Sequence, residues 1–288
     1  FNAIKTQGGQ YGPAASYYAG FAEYQEGDYA NALIDFKRAE AAAAYAPVVP
    51  SLIGNVLYRQ KKYDEVISYA NTVNTREGVT NREELALLVA ESQYKKKDFR
   101  AAAVSYEKYL TGKETTTDKD VLLRAGHAAY QAGQSAQAIT YLKQAALAPD
   151  STGHYASYYL GVLYVQSQQK PLALAAFDHA RKFTKDKKLA GESNYAYAKL
   201  AYELGNPDLA ISEMEKMLAT DASGSRATEL RELLSQAYVN ANNYNKAIAY
   251  IESLPARNAN VNRAYQKATL LKGMEYFNKE DYANAVAS

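Results

Sequence analysis

Small, aromatic, polar and apolar positions follow one another along this chain in an order that returns from its first line to its last. The stretch Gly20 to Ala39, GFAEYQEGDYANALIDFKRA, sets that order: small Gly20, aromatic Tyr24, a polar turn at Gly27-Asp28, aromatic Tyr29, then Ala32, Phe36 and Ala39. The small residue recurs as Gly54, Ala90, Gly126, Gly161, Ala198, Ser235 and Gly273, at intervals of 34, 36, 36, 35, 37, 37 and 38 residues. A period of this length is the mark of a solenoid, in which each unit touches only its neighbours. The runs on either side of the polar turn predict two helices per unit.

With Gly20 taken as the eighth position of the unit, each position has a mechanical reason. Positions eight and twenty lie where two antiparallel helices approach most closely and so require small side chains. Position twenty reads Ala32, Val66, Ala102, Ala138, Ala173, Ala210, Ala247 and Ala285. The turn between the helices begins at position fifteen, where glycine or asparagine permits the left-handed residue that ends the first helix. An aromatic follows at position seventeen as Tyr29, Tyr63, Phe99, Tyr244 and Tyr282, whereas Ser135, Lys170 and Pro207 stand there in repeats four to six. Position twenty-four fills the layer with Phe36, Tyr106, Leu142, Phe177, Met214 and Ile251; Ala70 is its weak member, so repeat two is expected to pack less tightly. Connectors at Pro47 and Pro50, Thr111 to Asp118, Pro149 to Gly153, Thr184 to Lys188, Thr220 to Ser225 and Pro255 to Asn262 are too short to be interdomain linkers.

Composition changes this picture mainly by exclusion. Lys and Arg number 33 against 31 Asp and Glu, and the pI of 8.4 is low for a domain that grips nucleic acid through phosphate contacts. The absence of cysteine removes disulfides, thiolate metal sites and thiol nucleophiles. The chain starts at Phe1 without a basic or apolar leader, as a trimmed product would. The most apolar region, Ala39 to Tyr58, is interrupted by Pro47 and Pro50 and carries Glu40 and Asn55, so it is no membrane span.

These residues resemble the tetratricopeptide repeat, whose pattern G-x-x-Y-x-x-x-G-x-Y/F-x-x-A-x-x-x-F-x-x-A is closely matched by Gly161 to Ala180 (GVLYVQSQQKPLALAAFDHA) and is recognisable in all eight units. The resemblance implies an all-α fold: one right-handed α-solenoid over residues 1–288, with repeats near 13–46, 47–82, 83–118, 119–153, 154–190, 191–227, 228–265 and an incomplete 266–288. It also implies a concave groove lined by the first helix of each pair. Of the family's usual proline at the repeat end, only Pro149 falls close, and the longer connectors of repeats six to eight are expected to alter the superhelix pitch. The wording of the first two repeats, YYAGFAEYQEGDYANALIDF and APVVPSLIGNVLYRQKKYDEVI, is also similar to tandem-repeat proteins of the Bacteroidetes cell envelope. That likeness implies a bacterial periplasm or outer membrane, against a cytoplasmic alternative, with no cofactor and no activity of its own.

No histidine has a partner at a metal-binding offset: His127 falls at position nine, His154 at the start of repeat five and His179 near the end of its second helix. No nucleotide-binding, nucleophile-elbow or zinc-protease motif occurs. Lys95-Lys96-Lys97 and Lys185 to Lys188 read as solvated helix-end runs. The tyrosines stand apart, with 27 against seven phenylalanines and no tryptophan. Position twelve reads Tyr24, Tyr58, Tyr94, Tyr130, Val165, Tyr202, Val239 and Phe277, and position five adds Tyr17, Tyr158 and Tyr195 on the same side. In the family that side faces the groove. Tyrosine there supplies rigid amphipathic contact surface; the competing reading is packing at the seam between repeats.

The candidate partner-binding set is therefore Tyr17, Tyr24, Tyr58, Tyr94, His127, Tyr130, Tyr158, Tyr195 and Tyr202, with no catalytic, cofactor or metal residues. The lysine and asparagine clamp by which some family members hold a C-terminal carboxylate is missing at positions five and nine. The leading function is a non-enzymatic scaffold for a partner protein or peptide. RNA binding by related helical repeats and an α/α-barrel glycosidase with paired carboxylates are the alternatives, and charge balance and scattered carboxylates speak against them. About fifteen complete helices are expected. The open end around Met274, Phe277 and Val286 is a possible self-association surface.

Overall fold

The structure, a computed structural model, describes Lys5, residues 9–111, Lys113 and residues 118–288. Of the connector from Thr111 to Asp118, Gly112 and residues 114–117 lie outside the described residues. The described residues form sixteen α-helices and no strand, in two compact units, Phe1–Ala145 and Ala146–Ser288.

The first unit holds α1 (Gly12–Glu26), α2 (Tyr29–Glu40), α3 (Val49–Arg59), α4 (Tyr63–Asn74), α5 (Arg82–Lys95), α6 (Phe99–Leu110), α7 (Lys119–Gln131) and α8 (Ser135–Ala145). The second holds α9 (Ser151–Gln166), α10 (Lys170–Ala180), α11 (Lys187–Glu203), α12 (Pro207–Thr220), α13 (Ala227–Asn240), α14 (Tyr244–Glu252), α15 (Ala259–Asn278) and α16 (Tyr282–Ala287). In each unit every helix packs on the next along the chain, and first helices also meet across repeats, as α3 with α5 and α13 with α15.

The turn inside each pair is built one way in all eight repeats. Position fifteen takes a positive φ in Gly27, Lys61, Lys97, Gly133, Gln168, Gly205, Asn242 and Glu280, between 57° and 81°. That twist aims the next amide back at the carbonyl five residues earlier, as in Asp28 N to Glu23 O at 2.8 Å and Asn243 N to Tyr238 O at 3.0 Å. The following residue then caps the second helix: Asp28, Asp98, Asn243 and Asp281 each accept an N–H three residues on.

Position eight faces position twenty-four. A Cβ on Gly126 would lie 2.6 Å from Leu142 Cγ, and one on Gly161 would lie 2.7 Å from Phe177 Cζ. The glycine is thus the socket for the large residue of its own hairpin. Repeat two departs from this. Ala70 is small, and the space beside Gly54 is taken by Leu85 of the next repeat, whose Cδ1 lies 2.6 Å from the site of a Cβ. Ala70 is 2% exposed, so the repeat is closed from its neighbour and is not looser at this point.

Among the first helices, those of repeats six and eight begin furthest ahead of the repeat boundaries, expected at 191 and 266. Asp186 accepts the amides of Lys188 and Leu189 at 3.0 Å each, and Asn258 accepts that of Val261 at 2.9 Å. These caps start α11 at Lys187 and α15 at Ala259, which turns parts of two expected connectors into helix. Among the described residues no helix is long and apolar enough to cross a membrane.

Candidate functional site

In the first unit the candidate residues stand on one side of α1, α3, α5 and α7, and all are half-buried. The position-twelve rings lean on the aromatic at position seventeen of the same repeat: Tyr24 on Tyr29, Tyr58 on Tyr63 and Tyr94 on Phe99, each with centroids 5.6 Å apart. The ring face is therefore spent within the repeat, and the hydroxyl reaches the next one. Tyr94 Oη meets His127 Nδ1 at 2.9 Å, and Gln131 Nε2 meets His127 Nε2 at 3.2 Å. Burial pushes the His127 imidazole below its ordinary value. Tyr24 faces Arg59 and raises that guanidinium's pKa through a hydrogen bond. Tyr17 stacks on Tyr45 at 5.0 Å and meets Phe36 edge-on at 6.5 Å. Tyr130 lies 6.5 Å from the His127 ring.

Beside this row the structure places an ion pair that sequence reasoning did not single out. Glu91, only 7% exposed, accepts from Arg124 Nε at 2.8 Å. The Tyr58 phenol is raised by burial and then by the Glu91 charge. Glu91 and Arg124 sit at positions nine and six of consecutive repeats. That offset across the seam was the available signal.

In the second unit Tyr195 lies under the Arg226 guanidinium, whose Cζ is 4.0 Å from the ring centroid, and its hydroxyl donates to Glu229. Burial and that carboxylate raise the phenol's pKa. Tyr202 donates to Gln236 Oε1 at 3.2 Å and accepts from Asn240 Nδ2 at 3.0 Å. Tyr158 packs edge-on against Phe177 at 6.0 Å.

Between α9 and α11 opens a cavity of about 340 Å³, floored by Tyr158, Val162, Val165, Ala196 and Leu200. It opens where α9 carries valine at both positions nine and twelve, Val162 and Val165; Val239 also stands at position twelve but is buried, at 3% exposed. Val165 is 41% exposed. The cavity's charges are matched: Arg226 pairs with Glu192 at 2.5 Å, Lys199 with Glu229 at 3.4 Å, and Glu203 with Lys170 at 3.0 Å. Sequence reasoning weighed the tyrosines and attached no role to Val162 and Val165.

The three histidines have specific partners. His154 and His179 stack at 4.6 Å, with Phe183 5.3 Å from the His154 ring. His154 Nδ1 contacts the His179 carbonyl at 2.9 Å, and His179 Nδ1 meets Ser157 Oγ at 2.8 Å. Burial, then His154 and Lys182, hold the His179 imidazole below its ordinary value. Among the described residues no group of three or more His, Asp or Glu side chains could hold a metal ion.

Two tetratricopeptide repeat family models match, over residues 123–187 and 201–271. The sequence matches no curated protein. Among solved structures the chain is similar to YrrB, described as a TPR protein with an unusual peptide-binding site, at 14% identity and a TM-score of 0.55 over 68% of this chain and 97% of that one. It is also similar to the C-terminal part of a TPR repeat-containing protein from Cytophaga hutchinsonii, at 19% identity and a TM-score of 0.53 over 86% of this chain and 98% of that one. Those two likenesses speak to the fold. The family matches fall on repeats whose left-handed turn residue at position fifteen recurs in the remaining units, and the chain belongs to the tetratricopeptide repeat family.

Proposed function

We propose that this chain is a non-enzymatic scaffold that holds a partner protein or extended peptide against the tyrosine-bearing side of its first helices, and that the partner inserts an apolar anchor side chain between α9 and α11. The observation that carries the reading is the α9–α11 cavity. Its volume of about 340 Å³ suits one large side chain, its floor is apolar, and its rim charges are already paired. An apolar anchor in such a socket, ringed by polar contacts, is the usual form of an interface hot spot. The half-buried tyrosines of the first unit, Tyr17, Tyr24, Tyr58, Tyr94 and Tyr130, together with His127, add further contact surface. Their rings are pre-set by packing, so little entropy is lost on binding. The near balance of 33 basic and 31 acidic residues favours a protein partner over RNA. The wording of the first two repeats supports a place in a bacterial envelope, which fractionation of a tagged protein tests.

The test fills the socket. Val165→Tyr restores the aromatic that other repeats carry at an exposed position, so folding is expected to be unchanged by circular dichroism. Affinity purification from the host should recover a partner with the native chain and lose it with the variant. Equal recovery of the same partner by both would refute the socket.

A further inference from the structure

A second trough lies on the other side of the first unit, away from the tyrosine row. The helices α4 and α6 each pack on α5, and the space between them has a volume of about 670 Å³. Its floor is Ile67, Ala70, Leu85, Ala86 and Val89. Two alanines, Ala70 of α4 and Ala86 of α5, lie along its bottom and add little bulk there, while Leu85 turns against Gly54. Its walls are polar and net positive. Arg82 is spent on the carbonyl oxygens that end α4, those of Val73 and Asn74. Glu83, the one carboxylate among the described lining residues, is paired with Lys113 at 2.6 Å. Lys108, exposed in the last turn of α6, forms no ion pair among the described residues. Among the described lining residues three cations thus stand against one carboxylate. Gln93, also in the lining, keeps a buried side-chain oxygen without a hydrogen-bond partner, an arrangement that a donor seated nearby would relieve.

We propose that the α4–α6 trough is a second docking surface, which takes an acidic amphipathic peptide segment with aliphatic side chains on Ile67 and Val89 and carboxylates toward Lys108. An apolar floor sets what is buried, and the net positive lining, with Lys108 outside any ion pair among the described residues, selects the sign of the partner's flanks. The site is independent of the α9–α11 socket in the second unit.

The experiment uses two short fluorescein-labelled helical peptides of one leucine pattern, the first with glutamate and the second with lysine at the polar positions, titrated into the full chain and read by anisotropy. The glutamate peptide should bind and the lysine peptide should not. Lys108→Glu, a surface change, should weaken the glutamate peptide roughly tenfold with an unchanged melting curve, and Ala86→Trp should abolish binding by filling the floor. Val165→Tyr should leave this affinity as it was, which separates failure here from failure of the other site. Equal binding of both peptides, no binding of the glutamate peptide, or indifference to Lys108→Glu would each overturn the proposal.

Discussion

Alanine at Gly161 and alanine at Gly191 are the same chemical change in the same unit, and packing gives them opposite signs. Both glycines lie within helices, where replacement by alanine is worth about 1 kcal/mol through backbone entropy. At Gly191 a Cβ meets nothing within 4 Å, so Gly191→Ala should stabilise by about 0.5–1 kcal/mol. At Gly161 the Cβ would lie 2.7–2.8 Å from three atoms at the tip of the Phe177 ring. That ring is 3% exposed and is backed by Tyr158 at 6.0 Å, so it has little room to retreat. Overpacking of this kind costs about 1–3 kcal/mol, and with the helix gain subtracted Gly161→Ala should destabilise by about 1–2 kcal/mol. The assay is urea unfolding followed by far-ultraviolet circular dichroism, in the native chain, both single variants and the pair Gly161→Ala with Phe177→Leu. Trimming the ring tip should recover part of the loss, as a non-additivity of roughly 1 kcal/mol. If Gly161→Ala stabilises as much as Gly191→Ala does, the socket account of position eight is wrong.

Two further outcomes are expected. Lys61→Gly, Lys97→Gly and Gln168→Gly each remove a side chain from a left-handed residue with φ near 60°. Each should raise the unfolding midpoint, by about 0.5–1 kcal/mol after the extra freedom of the unfolded chain is counted, whereas Gly27→Ala should lower it; no gain at any of the three would mean that the turns relax at no cost. The second concerns pH. His127 and His179 are held below the ordinary imidazole value of 6.5, so the unfolded chain takes up protons in a range where the folded chain does not. Stability from this source is present above about pH 6.5 and falls as pH drops below it. Around His179 the facing groups are His154, Lys182 and Asp178; the first two oppose its protonation and the carboxylate favours it. Melting curves between roughly pH 5.5 and 7.5 should show the decline, and His179→Gln should flatten it. A slope unchanged in that variant would remove His179 as a source.

The turn was legible in the letters of only some repeats. Gly27, Gly133, Gly205 and Asn242 announce a left-handed residue; Lys61, Lys97, Gln168 and Glu280 do not, yet they adopt the same φ. Their reading depended on register, which the eightfold recurrence of position eight supplied. The glycine sockets for Leu142 and Phe177 follow from residues inside one repeat and were open to the same argument. Leu85 beside Gly54 was not, because the filling side chain comes from the following repeat and no periodic rule marks it. The histidine pair was missed for a related reason. His154 and His179 are 25 residues apart, far beyond any spacing that brings two ligands together on one helix. They stand near the open ends of the two antiparallel helices of a hairpin, where positions one and twenty-six meet.

The same difference between a row and its exceptions governs the candidate site. Tyrosines at position twelve do structural work: in repeats one to three the ring packs on the aromatic at position seventeen, and in Tyr94 and Tyr202 the hydroxyl reaches the next repeat, at His127 and Gln236. A residue committed on both sides offers a partner only its edge. Each such ring therefore contributes to stability as well as to any contact surface, and its removal cannot leave folding untouched. Alanine at Tyr58, Tyr94 and Tyr130 together should lower the melting temperature, because half-buried aromatic contacts are lost at three successive seams. The sequence framed those tyrosines as either groove or seam, whereas their geometry serves the seam first. Where the row is interrupted at an exposed position, at Val165 rather than at the buried Val239, the space a ring would have filled becomes the α9–α11 cavity. A periodic scaffold acquires a specific place by breaking its period, and Val165→Tyr, which fills the α9–α11 cavity by adding a ring rather than emptying one, separates recognition from folding in a way that no tyrosine-to-alanine change can.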